Sequence, residues 1–324
     1  MGAAAAYSEP VSADMDPHEE TGDRYYYGYR TIIEYDEDGE CVITYRPLTP
    51  DDLLDPEEGD VYMLGTLHNR DVERLRSIIR FRLRDREDMT VYSDLKMDWG
   101  VEDLPNPAPD ISVIRNVRDP DRPRGVFYVS EEGVIPCFIL EVVSPRYRNA
   151  DINKKPDIYR RAGVSECFIV DPGLKDDEIS YTIRGYKLIG NRYVSATPDT
   201  RGRFYSKLTD VWLGVSESGD RIIVIDGRTG EELLSDEERA DKETEARQIA
   251  EARAETAEAR ADQESEARES AEARAETAEA RADQKSEARE SAEARAEQES
   301  EARESAEAEL RRLRAEIARL RGGK

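Results

Sequence analysis

Residues 251–271, EARAETAEARADQESEARESA, recur at 272–292 with one change, Lys285 standing where the first copy has Glu264, and a shortened copy follows at 293–306. The period of 21 is three heptads, and the loss of seven residues from the last copy keeps the heptad phase. Counted with Ala254 as position a, the a and d positions are Ala254, Ala257, Ala261, Glu264, Arg268 and Ala271, and the same frame reaches Leu310, Leu313, Ile317 and Leu320. No Pro or Gly interrupts the chain between Gly230 and Gly322. This pattern predicts one long helix. Arg260, Glu264, Arg268 and Glu272 form a ladder at four-residue steps, worth about a few tenths of a kcal/mol per pair to a solitary helix. The Ala, Glu and Arg seam buries little, whereas LRRLRAEIARL near the end is a proper zipper. The expectation is a coiled coil that joins copies of the chain mainly through its last two heptads. A monomeric charged helix is the alternative.

The repeat also says where a core must be. Residues 236–324 hold 27 acids, 18 bases and no aromatic residue. A segment of this composition cannot fold around a core of its own. The globular domain must lie before it, and the reading is a disordered segment at 1–24, a folded domain at 25–232 and the heptad helix at 233–321. The chain has a formal charge of −25. That argues against nonspecific nucleic-acid binding through a broad basic face, though an acidic sum leaves room for a local basic cleft. Cys41, Cys137 and Cys167 are odd in number and form no CxxC. They read as small buried apolar residues in a reducing compartment. No apolar run approaches a membrane span, and the N-terminus lacks the pattern of a signal peptide. A cytoplasmic protein without a membrane partner is expected.

Within the domain, YGYRTIIEYDEDGECVITYRPLT reads as a hairpin turning at DEDG. LHNRDVERLRSIIRFRLRDRED is an amphipathic helix, with Leu67, Val72, Leu75, Ile79 and Leu83 on one face and Arg70, Arg74, Arg76, Arg80 and Arg84 on the other. Strands follow at VYSDLKM, DISVIRNV, CFILEVV and CFIVD, with a helix at about 153–162 before the last. EISYTIRGYKLIGNRYVSA is a second hairpin, and RIIVIDGRTGEEL a final strand and turn. Strands outnumber helices, which predicts an α+β domain on a mixed sheet with a helix against it.

Glu141 is the anomaly of this pattern, a carboxylate in the apolar strand FILEVV. A buried charge is expensive unless it is paired, protonated or metal-bound. Upstream, Asp110 opens the strand of PAPDISVI. Downstream, Asp151, Lys155 and Tyr159 stand four apart in DINKKPDIY and share one helix face. A phosphodiesterase needs such parts. Magnesium or manganese ions supply a hydroxide and neutralise the phosphate, two or more carboxylates hold them, and a lysine orients the water. Asp110 and Glu141 are the expected metal ligands and Lys155 the catalytic lysine, with Asp151 and Tyr159 as supporting candidates. Arg70, Arg74, Arg146 and Lys154 are candidates for phosphate contact.

VIPCFILEVVSPRYRNADINKKPDIYRRAGVSECFIVDP resembles the core of the bacterial Uma-two family: a strand ending E-V-x-S-P, then D-x-x-x-K-x-x-x-Y, then A-G-V and a strand ending D-P. RPLTPDDLL, GDVY, His68, PAPDISVI and LTDVWLGV extend the resemblance over roughly 25–230. It implies a restriction-endonuclease-like fold, a mixed-sheet core with flanking helices, and a variant PD-(D/E)xK site. Asp110 matches the motif Asp and Glu141 the second acid. Val143 stands where the usual lysine would be, and the family's lysine moves to the next helix as Lys155. Pro156 follows Lys155 directly, so the helix is expected to start near Asn153 with Lys155 in its first turn. The implied function is a metal-dependent endonuclease acting on DNA. The alternative is a catalytically idle, nuclease-like scaffold built on a coiled coil.

Overall fold

The computed structural model describes residues 22–175 and 178–321. Most of the segment read as disordered, residues 1–21, lies outside them. The chain divides into a globular unit that ends at Asp241 and a second unit from Lys242 onward.

Elements β1 (Gly28–Tyr35) and β2 (Cys41–Pro47) form the expected hairpin, and β3 (Asp60–Tyr62) adds to the other side of β1. Gly28 makes that junction possible: a Cβ there would stand 2.0 Å from the Val61 carbonyl oxygen. Helix α1 (Thr66–Leu83) follows. The central sheet then assembles from β4 (Met89–Tyr92), β6 (Ile111–Arg115), β8 (Pro136–Val142), β9 (Glu166–Lys175), β10 (Glu178–Ile189) and β11 (Arg192–Ser195), in the order β11-β10-β9-β8-β6-β4. The β8–β9 pair is parallel and the other pairings are antiparallel. A parallel pair needs a crossover, and the helical run through α3 (Lys155–Ala162) supplies it. A two-stranded sheet joins β5 (Lys96–Asp98) to β7 (Val126–Tyr128), ahead of a single turn, α2 (Val129–Glu132). Four short strands, β12 (Phe204–Ser206), β13 (Val211–Val215), β14 (Ile222–Asp226) and β15 (Glu232–Leu233), complete the unit. The α+β class and the mixed sheet expected from the sequence are both present.

Alternation along β8 sorts the core into two layers. Phe138, Leu140 and Val142 join Val72, Leu75, Ile78 and Ile79 of α1 on one face of the sheet. Ile139 and Val143 join Ile158, Tyr159 and Ala162 of α3 on the other. Glu141 shares the face of Ile139 and Val143, and α3 covers it.

Two local readings are corrected. VYSDLKM is two strands, β4 and β5, in different sheets. Asp94 between them has φ 52°, a left-handed conformation that ends the strand and redirects the chain. The helix before β9 starts earlier than Asn153. It opens as a 3-10 turn at Pro145–Tyr147 and passes through a π turn at Ala150–Lys154 before becoming α-helical at Lys155. Pro156 explains the π turn. In unbroken α geometry its ring would meet the carbonyl four residues back, at Ile152, and it has no N–H to donate. A widened turn just before it removes that clash.

Helix α4 (Asp236–Arg321) is 86 residues long, about 130 Å at 1.5 Å per residue. A capping box starts it. Ser235 Oγ accepts from the Glu238 N–H at 3.2 Å, and Glu238 Oε2 accepts from the Ser235 N–H at 2.7 Å. Residues 242–320 are exposed throughout. Of the expected ladder, Arg268 pairs with Glu272 at 3.2 Å.

Candidate active site

Asp110 is held by its neighbours on both sides of the chain. Ser93 Oγ donates to its carbonyl at 2.6 Å, and the Asp94 N–H donates to the Pro109 carbonyl at 3.0 Å. In the antiparallel β6–β8 pair, Ile111 stands opposite Leu140. One step along the same register sets Asp110 opposite Glu141, on the same face of the sheet. The Asp110 carboxylate turns along β8, and Oδ2 accepts the Val142 N–H at 2.7 Å.

Glu141 is fully buried. Its Oε2 lies 2.8 Å from Lys155 Nζ, and its Oε1 accepts a hydrogen bond from the Tyr159 hydroxyl. The same Lys155 Nζ is 2.8 Å from Asp151 Oδ1, while Asp151 Oδ2 accepts the Ser144 N–H at 3.0 Å. One ammonium therefore bridges two carboxylates, one from a strand and one from the π turn that Pro156 requires. The four-residue spacing of Asp151, Lys155 and Tyr159 places all three on the same side of the helix, as expected. Tyr159 is fixed from behind by an edge contact with Trp99, ring centroids 6.1 Å apart.

His68 enters from the first turn of α1. Its Nδ1 is 2.8 Å from the Val142 carbonyl oxygen, which can only accept, so Nδ1 carries the proton. Nε2 then presents a lone pair 3.5 Å from Asp110 Oδ1. The six residues Asp110, Glu141, Lys155, His68, Asp151 and Tyr159 thus form one buried network.

Burial dominates its electrostatics. It pushes the Asp110 carboxyl up to about 7, against the opposing pull of Lys155. It pushes Glu141 up as well, again opposed by Lys155 and reinforced by Asp110. Burial alone would neutralise Lys155, but Asp151 and Glu141 together outweigh it and hold the ammonium charged well beyond the ordinary lysine range. The His68 imidazole is pushed down by burial, so it is neutral near pH 7.

The network forms part of the wall of a cavity of about 630 Å³. His68, Asp110, Asp151 and Lys155 line it, whereas Glu141 and Tyr159 stand behind them. The opposite wall comes from β3 and the loop before it, with Glu57, Glu58, Asp60 and Tyr62, and from Asp94 and Lys96. Six carboxylates against two lysines make this an acidic chamber. Among the described residues, no three His, Cys, Asp or Glu side chains group as a ready-made metal site. Asp110 and Asp151 still suit a hard cation. A magnesium ion commonly takes one or two carboxylates and fills its remaining positions with water and substrate oxygens. The raised affinity of Asp110 for a proton is what a carboxylate shows when buried without enough positive charge beside it.

The four arginines and lysines expected to touch phosphate are not on this wall. Arg70 is bound to Asp71, at 3.0 Å, and to Tyr181. Arg74 is bound to Glu238 and the Ile222 carbonyl, both at 2.8 Å. Arg146 donates to the Tyr26 carbonyl and lies over its ring, and Lys154 is paired with Asp51. Sequence reasoning placed Arg70 and Arg74 on the polar face of α1, and there they are taken up by Tyr181 of β10 and Ile222 of β14. Lys96, Asp60 of β3 and the two acids of the loop before it, Glu57 and Glu58, were missed. GDVY was legible as a motif, but its role in walling a cavity depends on how β3 pairs with β1.

Residues 57–203 match the model of the Uma2 family, described as "Putative restriction endonuclease". That bears out the resemblance read from the sequence. No curated protein matches the chain. Among solved structures it is similar to a crystal structure described as a "putative nuclease belonging to DUF820" from Anabaena variabilis ATCC 29413. The identity is 16%, over 58% of this chain and 83% of that one, with a TM-score of 0.32.

Proposed function

With residues 57–203 matched to the Uma2 family, we propose that this protein is a divalent-metal-dependent endonuclease that hydrolyses DNA phosphodiester bonds in the Asp110 cavity. The observation that carries the reading is the position of Lys155. Its amine lies 2.8 Å from both Glu141 and Asp151 and on the same cavity wall as Asp110, so a lysine displaced from the strand still reaches the site.

Asp110 and Asp151 present oxygens to the cavity and would hold a magnesium or manganese ion, with His68 Nε2 beside Asp110 as a further donor. Such an ion supplies charge neutralisation for the phosphate and a nucleophilic hydroxide near neutral pH. An acidic chamber favours it, because a polyanion enters only with cations. Glu141, expected from its motif position to be a ligand, is read differently: it stands behind the cavity lining rather than in it, and with its oxygens on Lys155 and Tyr159 it anchors the lysine. Lys155 stays protonated, so it donates to a phosphate oxygen or to the attacking water and does not act as the base. The exposed seam Leu310, Leu313, Ile317 and Leu320 fits self-association of the C-terminal helix. Free cysteines fit a reducing cytoplasm. No helix among the described residues is long and apolar enough to cross a membrane.

Plasmid nicking by the full chain with magnesium or manganese tests the reading. Cleavage is expected from the wild type and is expected to fall at least a hundredfold in Asp110→Asn. If calorimetry finds no metal binding to the wild type, the catalytic reading fails and the second one stands. That second reading, an idle nuclease-like scaffold, draws on the acidity of the chamber and the length of α4.

A further inference from the structure

Strand β2 is the outermost strand of its sheet, and nothing among the described residues pairs with its outer edge. Such an edge is normally blunted by charge, Pro or a bulge. Here Cys41–Tyr45 carries none of these. We propose that this edge pairs antiparallel with the same edge of a second copy of the chain, about a two-fold axis at Ile43. This is independent of the proposed chemistry.

The backbone sets the register. In the β1–β2 ladder, Asp36 N–H donates to Glu40 O and Leu48 N–H to Gly28 O, both at 3.0 Å, in the register that sets Ile33 opposite Ile43. Hydrogen-bonded pairs alternate along an antiparallel ladder. Val42, Thr44 and Arg46 therefore bond inward to β1, and the N–H and C=O groups of Cys41, Ile43 and Tyr45 point outward. The opposite strand agrees: Thr31, across from Tyr45, turns its N–H away from β2 to the Gly59 carbonyl, at 2.9 Å.

A two-fold at Ile43 sets Cys41 opposite the second copy's Tyr45, Ile43 opposite Ile43, and Tyr45 opposite Cys41. All three outward residues are then satisfied reciprocally. The flanking step sets Glu40 opposite Arg46 at both ends, so unlike charges meet. Neighbouring registers are worse. Centring on Cys41 brings the acidic DEDGE turns of the two copies together. Centring on Tyr45 sets Ile43 opposite Pro47, which has no N–H. The side chains on the shared face are apolar and unusually exposed for a sheet: Ile33 59%, Tyr35 73%, Ile43 53% and Tyr45 50%. Pairing lays the two faces side by side as one surface. β3 belongs to the same sheet and contributes Asp60 and Tyr62 to the cavity, so the paired sheet would also brace one wall of the site.

Cysteine cross-linking of the full chain tests this. Tyr45→Cys places a thiol directly opposite Cys41 of the second copy, at the roughly 5.5 Å Cα separation of a bonded pair, within disulfide range. Within one chain, positions 41 and 45 are about 13 Å apart along the strand and cannot bridge. Under mild oxidation, Tyr45→Cys and Ile43→Cys are expected to give disulfide dimers on non-reducing electrophoresis at least tenfold faster than wild type or Thr44→Cys. Peptide mapping should place the Tyr45→Cys bond between positions 41 and 45. If neither variant cross-links faster than Thr44→Cys, the pairing is wrong. Equal rates in all three variants mean proximity through the C-terminal helix alone and overturn it too.

Discussion

The globular unit and the C-terminal helix are stabilised by opposite means. The first buries two apolar layers on either side of one sheet, with β8 contributing to both. The second exposes every residue from Lys242 to Leu320 and depends on terms between residues a few positions apart: alanine propensity, four-residue ion pairs and a capping box. In the globular unit a single side chain can therefore matter to the whole. In the helix an equal insult stays where it is made, unless a partner covers the C-terminal seam.

Substitutions sharpen that contrast in descending order. Lys155→Ala leaves Glu141 and Asp151 buried without their shared cation, and a loss of about 3–5 kcal/mol in denaturant unfolding is expected, together with loss of nicking. Phe168→Ala removes a fully buried ring packed against Phe138 and is expected to destabilise the globular unit by about 3–5 kcal/mol. Ala271→Pro is the matched insult in the helix. It is expected to cost about 3 kcal/mol of local helix, visible in circular dichroism, while the melting of the globular unit stays put. A fall in that melting temperature would show that the helix supports the domain after all. Ser235→Ala removes the cap at the junction and is expected to cost about 1 kcal/mol, read as faster amide exchange over residues 236–241.

A pH series separates the two regions in another way. Burial raises the Asp110 carboxyl from 3.8 to about 7. The folded, metal-free state therefore holds a proton that the unfolded chain has already lost. That contribution to stability is full below about pH 4 and is lost as pH rises towards 7. Manganese affinity should run the other way, rising roughly tenfold per pH unit below 7 and levelling above it, because the ion competes with that proton. Calorimetry between pH 5.5 and 8 checks the slope. A flat profile would remove Asp110 from the ligand set.

The α4 helix was legible in the sequence because its information is local: a 21-residue period, an unbroken heptad frame and the absence of Pro and Gly need no knowledge of distant residues. The central strands were legible for the same reason, and alternation alone put Glu141 on the face that α3 covers. Asp110, Lys155, Asp151 and Tyr159 could be nominated from order and spacing, and His68 from the family resemblance. Their partners could not. Glu141 meets Lys155 and Tyr159 across a parallel crossover, the cavity's far wall comes from a strand 80 residues before Glu141, and Arg70 and Arg74 face away from it. The break of VYSDLKM at Asp94 and the π turn before Pro156 likewise arise where the backbone resolves competing demands. Sequence by itself determined most of the segments that become strand or helix and the residue types on which the proposed site draws, because periodicity and residue type are properties of the chain. Tertiary structure alone decided that Glu141 holds the lysine while Asp110 and Asp151 face the cavity, because a carboxylate's role depends on which charges and donors the fold packs within about 3 Å of it.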